Sequence, residues 1–332
     1  MQKNHTISIH FAKAVLGYFT DNNIDTNALL AISGINPKLL ENSKARITPR
    51  QLSQLIKAIS AKLKDEFLGL ASPAMPLGSF SLLARNALHC KTLFDVYKST
   101  GLALTAMTTS LSIDLKIIEE QVHVCIRVKP GDIKNEPILT ELVLLIWHRF
   151  PSWLANKKIP LLAVGLPYGR TNHKSEYDLM FSTKITFNTD VAKLVFPLYC
   201  LDFSCQRSTE ELAKYIGQLP EYWFKRLELD ENILQECLRH ISSLPDSSME
   251  VIAQKMNRSV RTLRRNLATE NTQFKSIKAQ YLRDKAIHLI TETSTPIEKI
   301  AGILGYTEAS AFSRVFKQWT GSSPRDYRNS FE

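Results

Sequence analysis

The feature that most restricts what this chain can fold into is a repeat near its C-terminus. The stretch IAQKMNRSVRTLRRNLA begins at Ile252, and IAGILGYTEASAFSRVFK begins at Ile300. Ile252/Ile300, Ala253/Ala301, Met256/Leu304 and Asn257/Gly305 match at an offset of 48, while Leu263/Phe312, Arg265/Arg314 and Leu267/Phe316 match at 49. Self-similarity at a fixed period marks a supersecondary unit used twice. Each copy has a first segment with a small Ala where two helices must approach. Each then has a tight turn at Asn257 or Gly305, residues that tolerate a left-handed backbone. Ser259 and Thr307 are suitable N-caps for a second helix that turns Leu263 and Leu267, or Phe312 and Phe316, inward. The pattern predicts two helix-turn-helix units, at about 249–270 and 296–319.

The second helix of the second copy raises a chemical question. Phe312, Val315, Phe316 and Trp319 fall at i, i+3, i+4 and i+7, the spacing of one buried face. Ser310, Ser313, Arg314 and Lys317 stand on the other side. For a lone helix a solvated surface is the ordinary explanation. The repeat argues otherwise, because both copies carry an outward arginine two residues after the anchoring apolar residue: Arg265 after Leu263, and Arg314 after Phe312.

Charge supports a polyanionic partner. The chain of 332 residues carries 42 Lys+Arg against 32 Asp+Glu, a formal net charge of +10. The excess is local. Lys255, Arg258, Arg261, Arg264, Arg265, Lys275 and Lys278 face a single acid, Glu270, between residues 255 and 278. Concentrated charge of this kind suits nucleic acid.

Texture divides the rest. Residues 6 to about 70 read as helices, with Thr48 as an N-cap and Pro49 at the first helical position of TPRQLSQLIKAISAKL. LLARNALHC and TLFDVYKSTGLALTAM continue the helical pattern. SLSIDLKII and QVHVCIRVK then alternate apolar and polar residues around Glu119–Glu120, which predicts a hairpin. The apolar helix ELVLLIWHRFPSWL follows, and PLLAVGL, STKITFN and AKLVFPL read as strands. The expected class is α+β: a mixed α/β domain over 1–205, a helical linker over 206–228, and an all-α domain over 229–332 with the two helix-turn-helix motifs.

Other classes find little support. Cys90, Cys125, Cys200, Cys205 and Cys237 are odd in number and form no CxxC pair, which argues for reduced thiols. Cys200 and Cys205 are near enough to suggest a redox switch, but two semi-buried thiols are the simpler reading. His123 and Cys125 would share a strand face, and two ligands without a third make no metal site. No catalytic triad, carboxylate pair or phosphate-binding glycine loop stands out, so no catalytic residue, metal or cofactor is expected. The start MQKNHTISIHFAKAV lacks an apolar run of signal-peptide length, and no apolar stretch nears ~18 residues. A soluble, cytoplasmic protein away from the membrane is expected.

IAQKM, SVRTLRRNL, FKSIKAQYLRDKAIHLI, PIEKIAGILGY, SAFSRVFKQWTG and SPRDYR together resemble the AraC/XylS transcriptional regulators over about 100 residues. Asn257 and Asn271 stand where that family often has glycine. The resemblance implies double-stranded DNA as partner and recruitment of RNA polymerase, with activation the commoner outcome. Arg258, Ser259, Arg261, Arg264, Arg265, Lys275, Ser310, Ser313, Arg314 and Lys317 are the candidate DNA-binding residues. Arginine is the best bidentate partner for guanine and also an excellent phosphate ligand, and the sequence leaves open which arginine does which. By their matching places, Arg265 and Arg314 are the candidates for base contact. Arg258, Lys275, Lys278 and Lys317 are expected at phosphate or at nothing. Arg283, inside the linking helix, is a candidate for a structural ion pair with Asp284 or Glu298.

MPLGSFSLLARNALHCKTLFDVY and YDLMFSTKITFNTDVAKLVFPL resemble the N-terminal ligand-sensing domain of the arabinose-binding-like subgroup of those regulators. This implies an unknown small-molecule effector and a homodimer formed through the first domain. No effector-binding residue is transferred; Trp147, Trp153 and Tyr168 could line a pocket, with core packing the simpler role. Two alternatives stay open, an architectural DNA-binding protein without a ligand and a DNA-modifying enzyme on the same DNA-binding module.

Overall fold

The computed structural model describes residues 5–128, 136–169, 174–181, 183–224, 233–270 and 272–328. The chain forms two compact units, a sheet unit of His10–Ser33 and Leu52–Lys225 and a helical unit of Met1–Ile9, Gly34–Gln51 and Arg226–Glu332. The expected division at 205 and 229 differs from this. Residues 206–224 belong to the sheet unit, and the helical unit recruits two pieces of the N-terminal region. Asn271 and the stretch 225–232 at the expected linker boundary lie outside the described residues.

Strands β1 (Ile7–Ser8) and β2 (Arg46–Ile47) belong to the helical unit. Helices α1 (Ile9–Val15), α2 (Gly17–Asp21) and α3 (Asn27–Ser33) precede α4 (Pro49–Leu63), α5 (Ser79–Ala87) and α6 (Leu93–Met107), all in the sheet unit but for Ile9 and the first turn of α4. At the start of α4, Thr48 Oγ accepts from the Gln51 amide while Gln51 Oε1 accepts from the Thr48 amide, the reciprocal cap expected there. Thr92 and Asp95 cap α6 in the same manner.

The hairpin forms as expected. Strand β3 (Leu111–Ile118) pairs antiparallel with β4 (Gln121–Val128), and Glu119 takes the positive φ of 52° that so tight a turn demands. Helix α7 (Glu136–Leu154) packs on β4 and on a later strand, burying Leu144, Leu145 and Leu154. Of the strand signals that follow, two are realised only briefly, as β5 (Ala163–Gly165) and β6 (Ile185–Thr186), and the third nearly in full as β7 (Ala192–Pro197), with α8 (Lys174–Phe181) between β5 and β6. The sheet order is β3-β4-β7-β5-β6, all antiparallel except β5 with β6. Val122, Val124 and Ile126 alternate into the core from β4. The expected linker helix is α9 (Thr209–Gly217), capped by Ser208 and Glu211, followed by α10 (Glu221–Phe224).

The helical unit continues with α11 (Ile233–Ser243), α12 (Met249–Lys255), α13 (Val260–Thr269), α14 (Phe274–Glu292), α15 (Ile297–Ile303), α16 (Ala309–Thr320) and α17 (Pro324–Arg328). Helix α14 packs on α11 and on α15, α16 and α17, joining the two repeats. The N-terminal pieces are bound to α14 and to the segment around the end of α16 and α17 by polar contacts. Asn42 Nδ2 donates to the Thr320 carbonyl and to Ser322 Oγ, both at 2.8 Å. The Arg46 amide donates to Tyr327 Oη, and Arg46 Nε and Nη2 donate to Thr6 Oγ and the Thr6 carbonyl. Thr6 Oγ in turn donates to buried Asp284 at 2.6 Å, and Thr48 and Arg50 both bond Glu292. No described helix is long and apolar enough to cross a membrane.

Candidate DNA-binding surface

The two repeats are alike down to backbone hydrogen bonds. Asn257 (φ 51°) and Gly305 (φ 84°) sit left-handed just past α12 and α15. The next amide closes the turn in each, Arg258 N to the Ala253 carbonyl and Tyr306 N to the Ala301 carbonyl, both at 2.9 Å. This is the 6→1 closure of a Schellman end, and it needs the positive φ that Asn or Gly supplies. The alanines that accept these bonds are buried, as close helix approach requires. The extra residue of the second copy lies in the turn: α13 begins three residues after Asn257, α16 four after Gly305.

That residue changes the cap. Ser259 caps α13 by accepting from the Thr262 amide at 3.1 Å, as expected. At α16 the N-cap is Glu308, with no side-chain cap bond, so Thr307 does not take the expected role. Glu308 instead holds Ser310 Oγ at 3.0 Å.

The second helices are anchored from behind. Leu263 and Leu267 of α13, and Phe312 and Phe316 of α16, are buried, while Val315 and Trp319 are half-buried. Tyr306, Phe312, Phe316 and Tyr327 form a continuous run of rings, with successive centroids 5.6, 5.7 and 5.1 Å apart. Truncating either phenylalanine to alanine should cost about 3–5 kcal/mol.

On the outer side, Arg261, Arg264 and Arg265 of α13 and Arg314 and Lys317 of α16 are exposed. Lys275, on the first turn of α14, is exposed as well. Among the described residues the guanidiniums of Arg261, Arg265 and Arg314 make no hydrogen bond or ion pair. Four other candidates are partly committed inside the unit. Arg258 pairs with Glu236 of α11 at 3.3 Å. Ser259 is occupied by its cap, Ser313 Oγ donates to the Ala309 carbonyl at 2.8 Å, and Ser310 is held by Glu308. Lys278 departs from expectation. Its Nζ donates to the Ser247 carbonyl at 3.0 Å, fixing the turn after α11, which makes it a tether within the unit. Arg283 bonds Asp284, the first of its expected partners. Glu236 and Glu308 escaped sequence reasoning, since neither an acid that reaches across from α11 nor one at the head of α16 leaves a periodic signal.

In the sheet unit, Trp147 lines a cavity, Trp153 stacks on Tyr215 with centroids 4.2 Å apart, and Tyr168 Oη donates to Glu141. His123 and Cys125 remain a pair; among the described residues no group of three His, Cys, Asp or Glu could hold a metal.

Two anchored helices with exposed arginines at equivalent places, joined by one long helix, define a double helix-turn-helix DNA-binding unit. Residues 24–204 match the family described as the arabinose-binding domain of AraC transcription regulators, N-terminal, and residues 252–330 match a helix-turn-helix domain. The chain therefore belongs to the AraC family of transcription regulators. It is 21% identical over 332 residues to the ornithine utilization regulator of Pseudomonas aeruginosa, covering 97% of this chain and 96% of that one. It is 25% identical over 238 residues to Rns of Escherichia coli, a DNA-binding dual transcriptional regulator, covering 68% and 84%. Among solved structures, the regulator CdpR of Pseudomonas aeruginosa aligns over 96% of this chain and 98% of its own, with 19% identity and a TM-score of 0.32.

Proposed function

We propose that the chain is a one-component transcription factor that reads an asymmetric DNA site through Arg265 and Arg314, answers to a small-molecule effector, and recruits RNA polymerase. The observation that carries the reading is the pair of arginines. They occupy matching places in the two repeats, project from buried anchors, and have no partner among the described residues, so both forks are available for a guanine edge. Arg261, Arg264, Lys275 and Lys317 surround them as phosphate contacts, with Arg258 joining when it leaves Glu236. The sheet unit would hold the effector and form the homodimer.

The test is a binding site chosen by selection from random DNA. Arg265→Ala and Arg314→Ala should each lose about 1–3 kcal/mol of specific binding and relax sequence preference at one position. Lys275→Ala should weaken all sequences alike and reduce the salt slope by about one. Equal losses on specific and random DNA for Arg314→Ala would remove its role as a base reader.

A further inference from the structure

The sheet unit contains a cavity of about 350 Å³, within the range of small-molecule sites. Its walls come from four regions that lie far apart in sequence: Phe67 and Leu83, Leu104 of α6, Leu142 and Trp147 of α7, and Trp223 of α10. It reaches the surface beside Ala61 and Leu77, both exposed. Deep in the site the lining is aliphatic and aromatic.

The polar groups that border it are few, and some are already engaged. Both oxygens of Glu66 are taken, one accepting from the Gly78 amide at 2.7 Å and the other from the Phe80 amide at 2.8 Å. Ser79 Oγ donates to the Pro76 carbonyl at 2.7 Å. This leaves Ser60, Ser81, the Trp147 indole N–H and the exposed Lys57 to meet a ligand. The two charges that border the cavity, Lys57 and Glu66, are of opposite sign, so an anion drawn to one is repelled by the other.

We infer that this cavity is the effector site and that it takes a neutral, mainly apolar molecule with few hydrogen-bonding groups. The inference rests on the effector reading above and sharpens it. A sugar does not fit, even though the matching family is described as arabinose-binding. A pentose presents a hydroxyl on nearly every carbon, and each one buried here without a partner would be penalised. An apolar ring or chain loses only its water.

The cavity also touches the route out of the unit. Ile216, Leu219, Pro220, Trp223 and Phe224 all line it, and Phe224 is the last described residue of the sheet unit. Phe80 fixes Trp223 edge-on with centroids 5.0 Å apart. A ligand that binds one placement of α10 more tightly than another shifts the balance between them only by that difference in affinity.

The probe for the test is N-phenyl-1-naphthylamine, a neutral molecule whose emission rises in apolar surroundings, added to the full chain. It should bind saturably at one per chain, and its anionic analogue 1-anilinonaphthalene-8-sulfonate should bind about tenfold more weakly. Arabinose should displace neither. Ala61→Trp at the exposed mouth and Leu142→Phe in the interior should each abolish probe binding with the circular dichroism spectrum unchanged. Unchanged probe binding in both folded variants, or displacement by arabinose, would overturn the site. A compound that raises the melting temperature of wild type and both variants alike would overturn this site and leave the effector reading standing. If neutral compounds displace the probe yet none alters affinity for the selected DNA, the effector reading fails while the ligand class of the cavity holds.

Discussion

Arg258 and Arg265 differ by two turns of sequence and by their commitments. Arg258 is held by Glu236 with both side chains about one-third exposed, so the pair is worth at most about 1 kcal/mol and yields readily to a phosphate. Glu236→Ala should therefore strengthen binding to random DNA and steepen the salt dependence by up to about one, as titration against salt would record. The cysteines make the opposite case, of groups shut away. Burial pushes the Cys200, Cys205 and Cys237 thiols up to about 11. The thiolate is the reactive form, so the native protein at pH 8 should react with Ellman's reagent at these positions about a hundredfold more slowly than after urea unfolding. Rapid native labelling of Cys200 or Cys205 would revive the redox switch that their spacing suggested.

Among elements, the C-terminal end of α16 shows how the N-terminal pieces enter the helical unit. Gly321 ends the helix at φ 77°, and a Cβ there would stand 2.7 Å from the Asn42 amide. Only glycine lets Asn42 reach the Thr320 carbonyl. Gly321→Ala should cost about 1–2 kcal/mol from backbone strain alone and more through the displaced amide, read as a lower urea midpoint. Asn42→Ala should lose the hydrogen bonds without the strain, and the double variant should cost less than the sum. Strict additivity would mean that the two residues do not press on each other. The same contacts predict that a fragment of residues 229–332, which lacks Asn36, Asn42, Arg46 and Thr48, unfolds at lower urea than the unit does in the full chain. Asn36 adds a bond from its side-chain amide to the Asp326 carbonyl.

For the whole molecule, α14 sets the reach of DNA binding. Its 19 residues span about 28 Å at ~1.5 Å each, enough to support two recognition helices near one turn of B-DNA apart. Inserting about five base pairs between the two sub-sites should abolish specific binding, because one sub-site then faces away. An insertion of about ten base pairs restores the phase but overstretches the helix; if it binds as well as the parent site, α14 is not a rigid spacer. Both recognition units were legible in the sequence, since their determinants are local: Asn257 and Gly305 permit the turn, the apolar pairs anchor, and the repeat fixes the equivalence of Arg265 with Arg314. The β3–β4 hairpin was legible for the same reason. The placing of residues 5–9 and 34–51 was not, because it depends on bonds between residues as much as 278 to 290 apart, made by an Asn amide or a Thr hydroxyl that follows no period. Nor was the cavity as a whole: Trp147 was a candidate for a pocket wall, but Trp153 and Tyr168 do not line this one, and nothing in the sequence gathers Phe67, Leu104, Leu142 and Trp223 around it. Local backbone chemistry wrote the DNA-binding half into the chain, whereas the boundary of that half and the chemistry of the cavity exist only where distant segments meet.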